Sequence, residues 1–195
     1  NRGDELFTSE RNDGRPGDDR GWRGSREWLL QGRENGFVPY WWDDGTSVVS
    51  RTDRGVVQRT WKSPDEMTMP EFLDYPVKGP ADWKALRARF DPSDPARFPA
   101  DWQARCARWR EERPVLILQG PRSPSLFGFV RELLGAERAL TSFYDEPAMV
   151  HDMMETATEF SIAMVQRALT EAPVTLVQFW EDMCFCTGPL ISPEM

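Results

Sequence analysis

Two adjacent acids, Glu181 and Asp182, are the side chains in this sequence best placed to do chemistry. They follow residues 174–180, a short apolar run of the kind that forms a buried strand. Carboxylates at the carboxyl end of a strand occupy the place where α/β barrels keep their catalytic groups. Such groups can transfer protons or stabilise a developing cation. We therefore predict that Asp182 and Glu181 are catalytic; the alternative is that they cap a helix near Ser192 or pair with arginines.

A strand and a helix precede these acids in the order expected of a β/α protein. Residues 114–119 form a continuous apolar run, the pattern of a strand covered on both faces. A helix is predicted over residues 126–134, and Gly135 is a natural residue to end it. Arg122 and Arg131 follow the predicted strand at residues 114–119, and either could hold a substrate carboxylate or form a structural ion pair.

A second, longer helix is predicted to begin at Glu146-Pro147, with Asp145 as its cap. Its apolar residues recur at spacings of three and four, which indicates a helix packed on a sheet. These residues are Met149, Met153, Ala157, Phe160, Met164 and Ala168. A strand, two helices and a second strand joined by a right-handed crossover predict a parallel sheet.

Upstream, β-branched runs at residues 46–51 and 56–61 flank the turn Asp53-Arg54-Gly55 and predict a hairpin. Two short helices are predicted at residues 81–90 and 100–112, the second with Trp102, Cys106 and Trp109 on one face.

The chain divides by composition near residue 36. Residues 1–35 are rich in Gly, Arg, Asp and Glu and cannot bury enough apolar surface to offset the entropy of ordering. We predict a disordered tail over residues 1–35 and one folded unit over residues 36–195. The whole chain has 195 residues, fewer than the roughly 250 of a complete eight-stranded barrel, so we expect an incomplete chain.

Composition limits the classes of function. The net charge of −8 argues against a general nucleic-acid binder, which needs clustered Lys and Arg. No apolar run approaches the ~20 residues that span a bilayer. The chain has three cysteines, an odd number that lacks the spacing of a disulfide framework. This favours a reducing compartment, so a cytoplasmic location is expected. Cys184 and Cys186 are interpreted as small buried residues, the alternative being a metal or redox pair.

Several segments of this chain resemble the uroporphyrinogen decarboxylase superfamily, in the version of its divergent bacterial branch. The likeness covers about residues 44–195 and is most specific over residues 144–193. The matching segments are Phe72–Lys78, Asp82-Trp83, Asp94–Trp102, Arg131–Glu137, Tyr144–Met154 and Glu181–Pro193.

The resemblance implies an α/β fold, part of a TIM (β/α)8 barrel truncated at its C-terminal end. It implies decarboxylation of a tetrapyrrole-type substrate, without a cofactor, as part of porphyrin metabolism. It places Asp182 at the mouth of the pocket. The segment of the family that matches residues 119–129 also lines the pocket, which makes Gly120, Phe127 and Phe129 candidate substrate-binding residues beside Arg122 and Arg131.

The same resemblance leaves other functions open. Some members of the superfamily use zinc to transfer methyl groups between corrinoids and thiols. Their zinc is held by a His-x-Cys pair and a distant Cys, and residues 1–195 do not contain this combination. Ser123-Pro124 and Phe129 replace the Thr and Tyr expected of the haem-pathway enzymes. The chain could also be a non-catalytic truncated remnant. We expect the chain alone to be inactive, with a small molecule as its partner, and the resemblance also allows a homodimer.

Overall fold

A 25-residue helix, Pro147–Glu171, contributes buried residues to both hydrophobic cores of the described part of the chain. The computed structural model describes residues 7–9, 27–28, 40–43, 45–52, 54–62, 69–119, 125–179, 181–182, 184–192 and 194–195. The helices are α1 (Pro80–Arg87), α2 (Trp102–Glu112), α3 (Leu126–Leu134), α4 (Ala136–Asp145) and α5 (Pro147–Glu171), with a short 3₁₀ helix at Pro95–Arg97. Among the described residues no helix has both the length and the apolar content needed to cross a membrane.

The described strands form three separate sheets. They are β1 (Phe7–Ser9), β2 (Glu27–Trp28), β3 (Tyr40–Asp43), β4 (Ser47–Arg51), β5 (Val57–Trp61), β6 (Glu71–Asp74), β7 (Ile117–Gln119), β8 (Leu176–Gln178), β9 (Cys184–Phe185) and β10 (Gly188–Pro189). One sheet has the order β2-β1-β7-β8, a second is the antiparallel meander β3-β4-β5-β6, and β9 and β10 form a small hairpin.

The prediction of a partial TIM barrel is wrong. Strands β7 and β8 are parallel neighbours, as the crossover pattern predicted, with Ile117 opposite Leu176 and Gln119 opposite Gln178. The other edge of β7, however, pairs with β1 in the antiparallel sense. A ring of parallel strands cannot grow from an edge that an antiparallel strand already occupies. The structure is a mixed α/β fold with small sheets that do not close.

The local predictions upstream are confirmed where the structure describes them. Strands β4 and β5 form the predicted hairpin, with Ser47 opposite Trp61. Helices α1, α2, α3 and α5 occupy the predicted positions within a few residues. Helix α4 was missed, because it begins directly after Gly135, the residue that ends α3. Asp145 is the last residue of α4 rather than a cap of α5. The predicted disordered tail lies outside the described residues apart from β1 and β2.

Helix α5 divides its apolar face between two cores. Its N-terminal half packs against α1, α3 and α4, where Met149, Val150 and Met153 are buried. Its C-terminal half packs against α2 and β7, where Phe160, Met164 and Ala168 are buried. All six residues of the predicted apolar stripe are buried, so that prediction is confirmed. Phe90 contacts both cores, with its ring centroid 5.9 Å from that of Phe160.

Glu171 joins the end of α5 to α2. Its carboxylate accepts hydrogen bonds from Trp102 Nε1, from Gln103 Nε2 at 3.1 Å and from Arg167 Nε at 3.0 Å. Burial raises the pKa of Glu171, but the hydrogen bonds from Trp102, Arg167 and Gln103 together outweigh that effect and hold the pKa below its ordinary value of 4.5. The ionised carboxylate therefore stabilises the fold.

We expect Glu171→Gln to lower the free energy of unfolding at neutral pH by about 1–3 kcal/mol, because charge-assisted hydrogen bonds are lost. A lowered folded-state pKa gives stability that is present above the unfolded value of 4.5 and lost as pH falls through the folded value. The difference between variant and parent should therefore shrink in acid. Urea unfolding at neutral and acidic pH measures it, with Glu155→Gln, an exposed acid on α5, as the control. A difference that stays constant with pH contradicts this assignment.

The three cysteines fall into two classes. Cys106 is fully buried in the core beside Trp109, and burial raises the pKa of its thiol. Cys184 and Cys186 are exposed on the β9–β10 hairpin, so their interpretation as small buried residues is wrong. The reason is that no described part of the chain packs over this hairpin closely enough to bury it, and Phe185 between them is 69% exposed.

We expect a thiol-specific chromogenic disulfide reagent to label two thiols per folded chain, because Cys184 and Cys186 are exposed, whereas burial both hides the Cys106 thiol and raises its pKa. The variant Cys184→Ser/Cys186→Ser should react only after unfolding in denaturant. Rapid labelling of that variant under native conditions would show that Cys106 is not protected.

Candidate functional site

The two predicted catalytic acids lie where the carboxyl ends of β7 and β8 meet the start of α3. The parallel register ends with Gln119 opposite Gln178. The chain that leaves β8 then reaches the N-terminus of α3, where Glu181 contacts Leu126. The edge formed by the carboxyl ends of parallel strands is where open α/β sheets bind ligands. Glu181 and Asp182 are both partly buried there.

Glu181 caps the N-terminus of α3, although it lies more than 50 residues later in the chain. Its Oε2 accepts hydrogen bonds from the backbone N–H groups of Leu126 at 2.9 Å and Phe127 at 3.0 Å. Its Oε1 accepts from Gly128 N at 3.0 Å and Ser125 Oγ at 2.9 Å. These N–H groups have no partner within the helix, and a negative charge at a helix N-terminus is favourable. The contacts of Glu181 are therefore those of a helix cap.

Ser125 and Gly128 make this cap possible, and the sequence analysis did not identify either of them. Ser125 occupies the usual capping position with extended backbone (φ −123°, ψ 128°), but its hydroxyl donates to Glu181 instead of capping its own helix. A Cβ at Gly128 would lie 2.1 Å from Ser125 Oγ and 3.4 Å from Glu181 Oε1. The signal in the sequence was a serine directly before a helix with a glycine in its first turn.

Asp182 has a different set of contacts. Its Oδ2 accepts a hydrogen bond from Arg131 NH1 at 3.0 Å, and its backbone N–H donates to Glu181 Oε1 at 3.1 Å. Its second carboxylate oxygen, Oδ1, has no hydrogen-bond partner among the described residues. The side chain of Asp182 is 47% exposed, whereas that of Arg131 is 21% exposed. Arg131 thus binds one oxygen of a carboxylate whose side chain is about half exposed.

An apolar cavity of about 640 Å³ lies beside these acids, between the start of α3 and α5. Its apolar lining residues include Leu126, Phe127, Met154, Ile162, Val165 and Phe179, and Glu181 is at its edge. Ile162 and Phe179 remain 51% and 64% exposed, so the cavity is open to solvent on that side. This volume lies within the usual range of small-molecule sites, which are mostly apolar with a few polar groups.

The structure brings together four of the seven predicted site residues. Glu181, Asp182, Phe127 and Arg131 form one group, and the guanidinium of Arg131 lies 5.8 Å from the ring centroid of Phe127. Phe129 instead packs in an aromatic cluster with Trp83 and Phe90, at centroid distances of 6.1 and 5.2 Å. Gly120 and Arg122 lie outside the described residues.

The described residues contain no group of three or more His, Cys, Asp or Glu that could hold a metal ion. A scan against protein-family models, a search of curated proteins and a search of solved structures each found no match.

The contact between Gly128 and Ser125 gives a testable double-mutant cycle. We expect Gly128→Ala to destabilise the protein by about 1–3 kcal/mol, although alanine favours a helix by about 1 kcal/mol, because the new Cβ displaces the Ser125 hydroxyl from Glu181. Ser125→Ala should cost about 1 kcal/mol for the lost hydrogen bond. In the double variant the oxygen that blocks the Cβ is absent, so the cost should be well below the sum. Denaturant unfolding measures all four proteins, and strict additivity would contradict this packing.

Proposed function

We propose that this chain supplies the carboxylate side of a substrate site for chemistry of the uroporphyrinogen decarboxylase type. The reaction is the loss of CO₂ from the acetate arm of an acidic tetrapyrrole, without a cofactor. The observation that supports it most is that Arg131 binds Oδ2 of Asp182, while Oδ1 has no hydrogen-bond partner among the described residues. Asp182 directly follows Glu181, which lies at the edge of the apolar cavity. A pyrrole ring offers an apolar face for such a cavity and an N–H group for such an oxygen.

In the proposed chemistry the pyrrole ring acts as the electron sink. Protonation of a ring carbon makes the ring cationic, and the bond between the acetate methylene and its carboxylate then breaks. The electron pair of that bond enters the ring, and CO₂ leaves. The methylene carbon gains a proton to become a methyl group, and the ring carbon returns its proton, so the net change is one proton taken up and one CO₂ released.

Asp182 would act in this scheme by stabilising charge. Its carboxylate accepts the pyrrole N–H hydrogen bond, which strengthens as the ring becomes cationic, so the stabilisation is larger in the transition state than in the ground state. Arg131 is a positioning residue, because it fixes the orientation of Asp182. The contacts of Glu181 favour a supporting role, since both of its oxygens are occupied by the start of α3. Gly120 and Arg122 remain expected contributors to substrate binding.

The zinc- and corrinoid-dependent methyl transfer and the non-catalytic remnant stay as alternatives, and no contact among the described residues favours either of them. The proposal concerns binding by this chain, because the chain alone is expected to be inactive.

Binding of uroporphyrinogen under anaerobic reducing conditions tests the proposal through quenching of the fluorescence of the nine tryptophans. We expect saturable quenching, and an affinity about tenfold lower in Asp182→Asn, because a charged acceptor is lost. The variant should lose less than about 1 kcal/mol of stability, since its ion pair is partly exposed. This keeps the binding effect separate from unfolding.

Glu111→Gln is the matched control, because Glu111 is an exposed acid on α2 with no described partner. Its affinity should equal that of the parent protein. Absence of quenching, or equal affinities for the parent and Asp182→Asn, would overturn the proposal.

A further inference from the structure

A second cavity, of about 740 Å³, lies along α4 and differs in chemistry from the first. It is bounded by the link between β6 and α1, by Leu134 at the end of α3, by α4 and by Glu146, which directly precedes α5. Its apolar floor includes Val77 and Leu134, which are almost fully buried. The ring of Tyr75 forms one wall and packs against Gly135, whose φ of 83° and lack of a side chain permit this contact.

Ser142 is the buried polar group of this cavity. It is 2% exposed, and its hydroxyl makes no hydrogen bond to any described residue. Its backbone carbonyl is occupied, because it accepts a hydrogen bond from Glu146 N at 3.0 Å. Since Ser142 lines the cavity, the hydroxyl faces the cavity space. The hydroxyl is therefore open to the cavity and available to accept a hydrogen bond from a ligand.

The charged residues of the wall are predominantly acidic. Glu137, Asp145 and Glu146 line the cavity, and none of them forms an ion pair with a described residue. Arg138 is the cation that they face, and it also forms no ion pair with a described residue. The remaining charges on the wall, Asp74 and Lys78, neutralise each other in a salt bridge. The excess of carboxylates favours a cationic ligand over an anionic one.

The arrangement of the acids favours an organic cation over a metal ion. These carboxylates do not converge into a metal-binding group within the described part of the chain. They are distributed along the cavity, with Glu137 in the first turn of α4 and Asp145 at its last residue, about 12 Å apart at a rise of 1.5 Å per residue. An extended chain with a charged end and apolar methylenes matches this spacing and the apolar floor.

We propose that this cavity binds an aliphatic amine, with its ammonium group donating hydrogen bonds to Ser142 Oγ and to the carboxylates of Asp145 and Glu146. The methylene chain lies over Val77, Leu134 and the ring of Tyr75. The site is separate from the acids at the start of α3, so it does not depend on the function proposed above.

Calorimetric titration of the full chain with putrescine tests this site, with glutarate as a dianion of similar length. We expect putrescine to bind and glutarate not to bind. Ser142→Ala should lower the affinity for putrescine about tenfold, through loss of a hydrogen bond to a charged group. Asp145→Asn should lower it by a similar factor. Ser161→Ala, at a polar position of the other cavity, should leave it unchanged.

Thermal unfolding of the unliganded variants separates binding from folding. Ser142→Ala should melt at the parent temperature or slightly above it, because the hydroxyl that it removes has no described partner. The proposal is overturned by a Kd for putrescine weaker than about 10 mM. Equal affinities for the parent, Ser142→Ala and Asp145→Asn would also overturn it, since they would indicate unspecific attraction to an acidic surface. Tighter binding of glutarate would assign the cavity to an anion at the start of α4.

Discussion

The burial of one face of α5 is the interaction on which the rest of this structure depends. Eight of its residues are buried, and six of them belong to the two hydrophobic cores. A fully buried side chain such as Met153 or Met164 contributes about 1.5–3 kcal/mol, so this face is a dominant stabilising contribution. Helix α5 also forms one side of the apolar cavity, through residues that include Met154, Ile162 and Val165.

Glu181 extends this dependence to the candidate site. A helix start normally finds its cap within the neighbouring residues, whereas α3 takes its cap from a segment more than 50 residues later. The start of α3 and the chain after β8 are therefore fixed relative to each other by one carboxylate. The two adjacent acids therefore have different contacts. Both oxygens of Glu181 are bound by the start of α3, whereas Asp182 is bound by Arg131 through Oδ2 and its side chain is 47% exposed.

Two cavities with different linings lie at the two ends of α3. Between α3 and α5 the lining is apolar, because the outward residues Leu126 and Ile162 meet there. Along α4 the lining is acidic, because Glu137, Asp145 and Glu146 face the link from β6 to α1. Gly135 makes this second arrangement possible, since it ends α3, begins α4 and leaves room for Tyr75 without an intervening residue.

The sequence by itself determined the elements whose signal is local. Spacings of three and four placed α5 and its buried stripe, β-branched runs around Asp53-Arg54-Gly55 placed the hairpin, and the order of elements predicted the parallel pairing of β7 with β8. It also selected Asp182 and Arg131, which the structure joins in an ion pair, while the roles assigned to them stay predictions.

Only the tertiary structure decided which segments become neighbours across long stretches of chain. The pairing of β1 with β7 rules out a barrel, and it joins segments about 110 residues apart that carry no mutual signal. The exposure of Cys184 and Cys186 depends on what packs against their hairpin. The cap that Glu181 provides for α3, and the position of Ser142 in the wall of the second cavity, depend on distances that periodicity does not encode. A residue's type and spacing fix the conformation of its own segment, whereas the partners of its polar atoms are fixed only when distant segments pack.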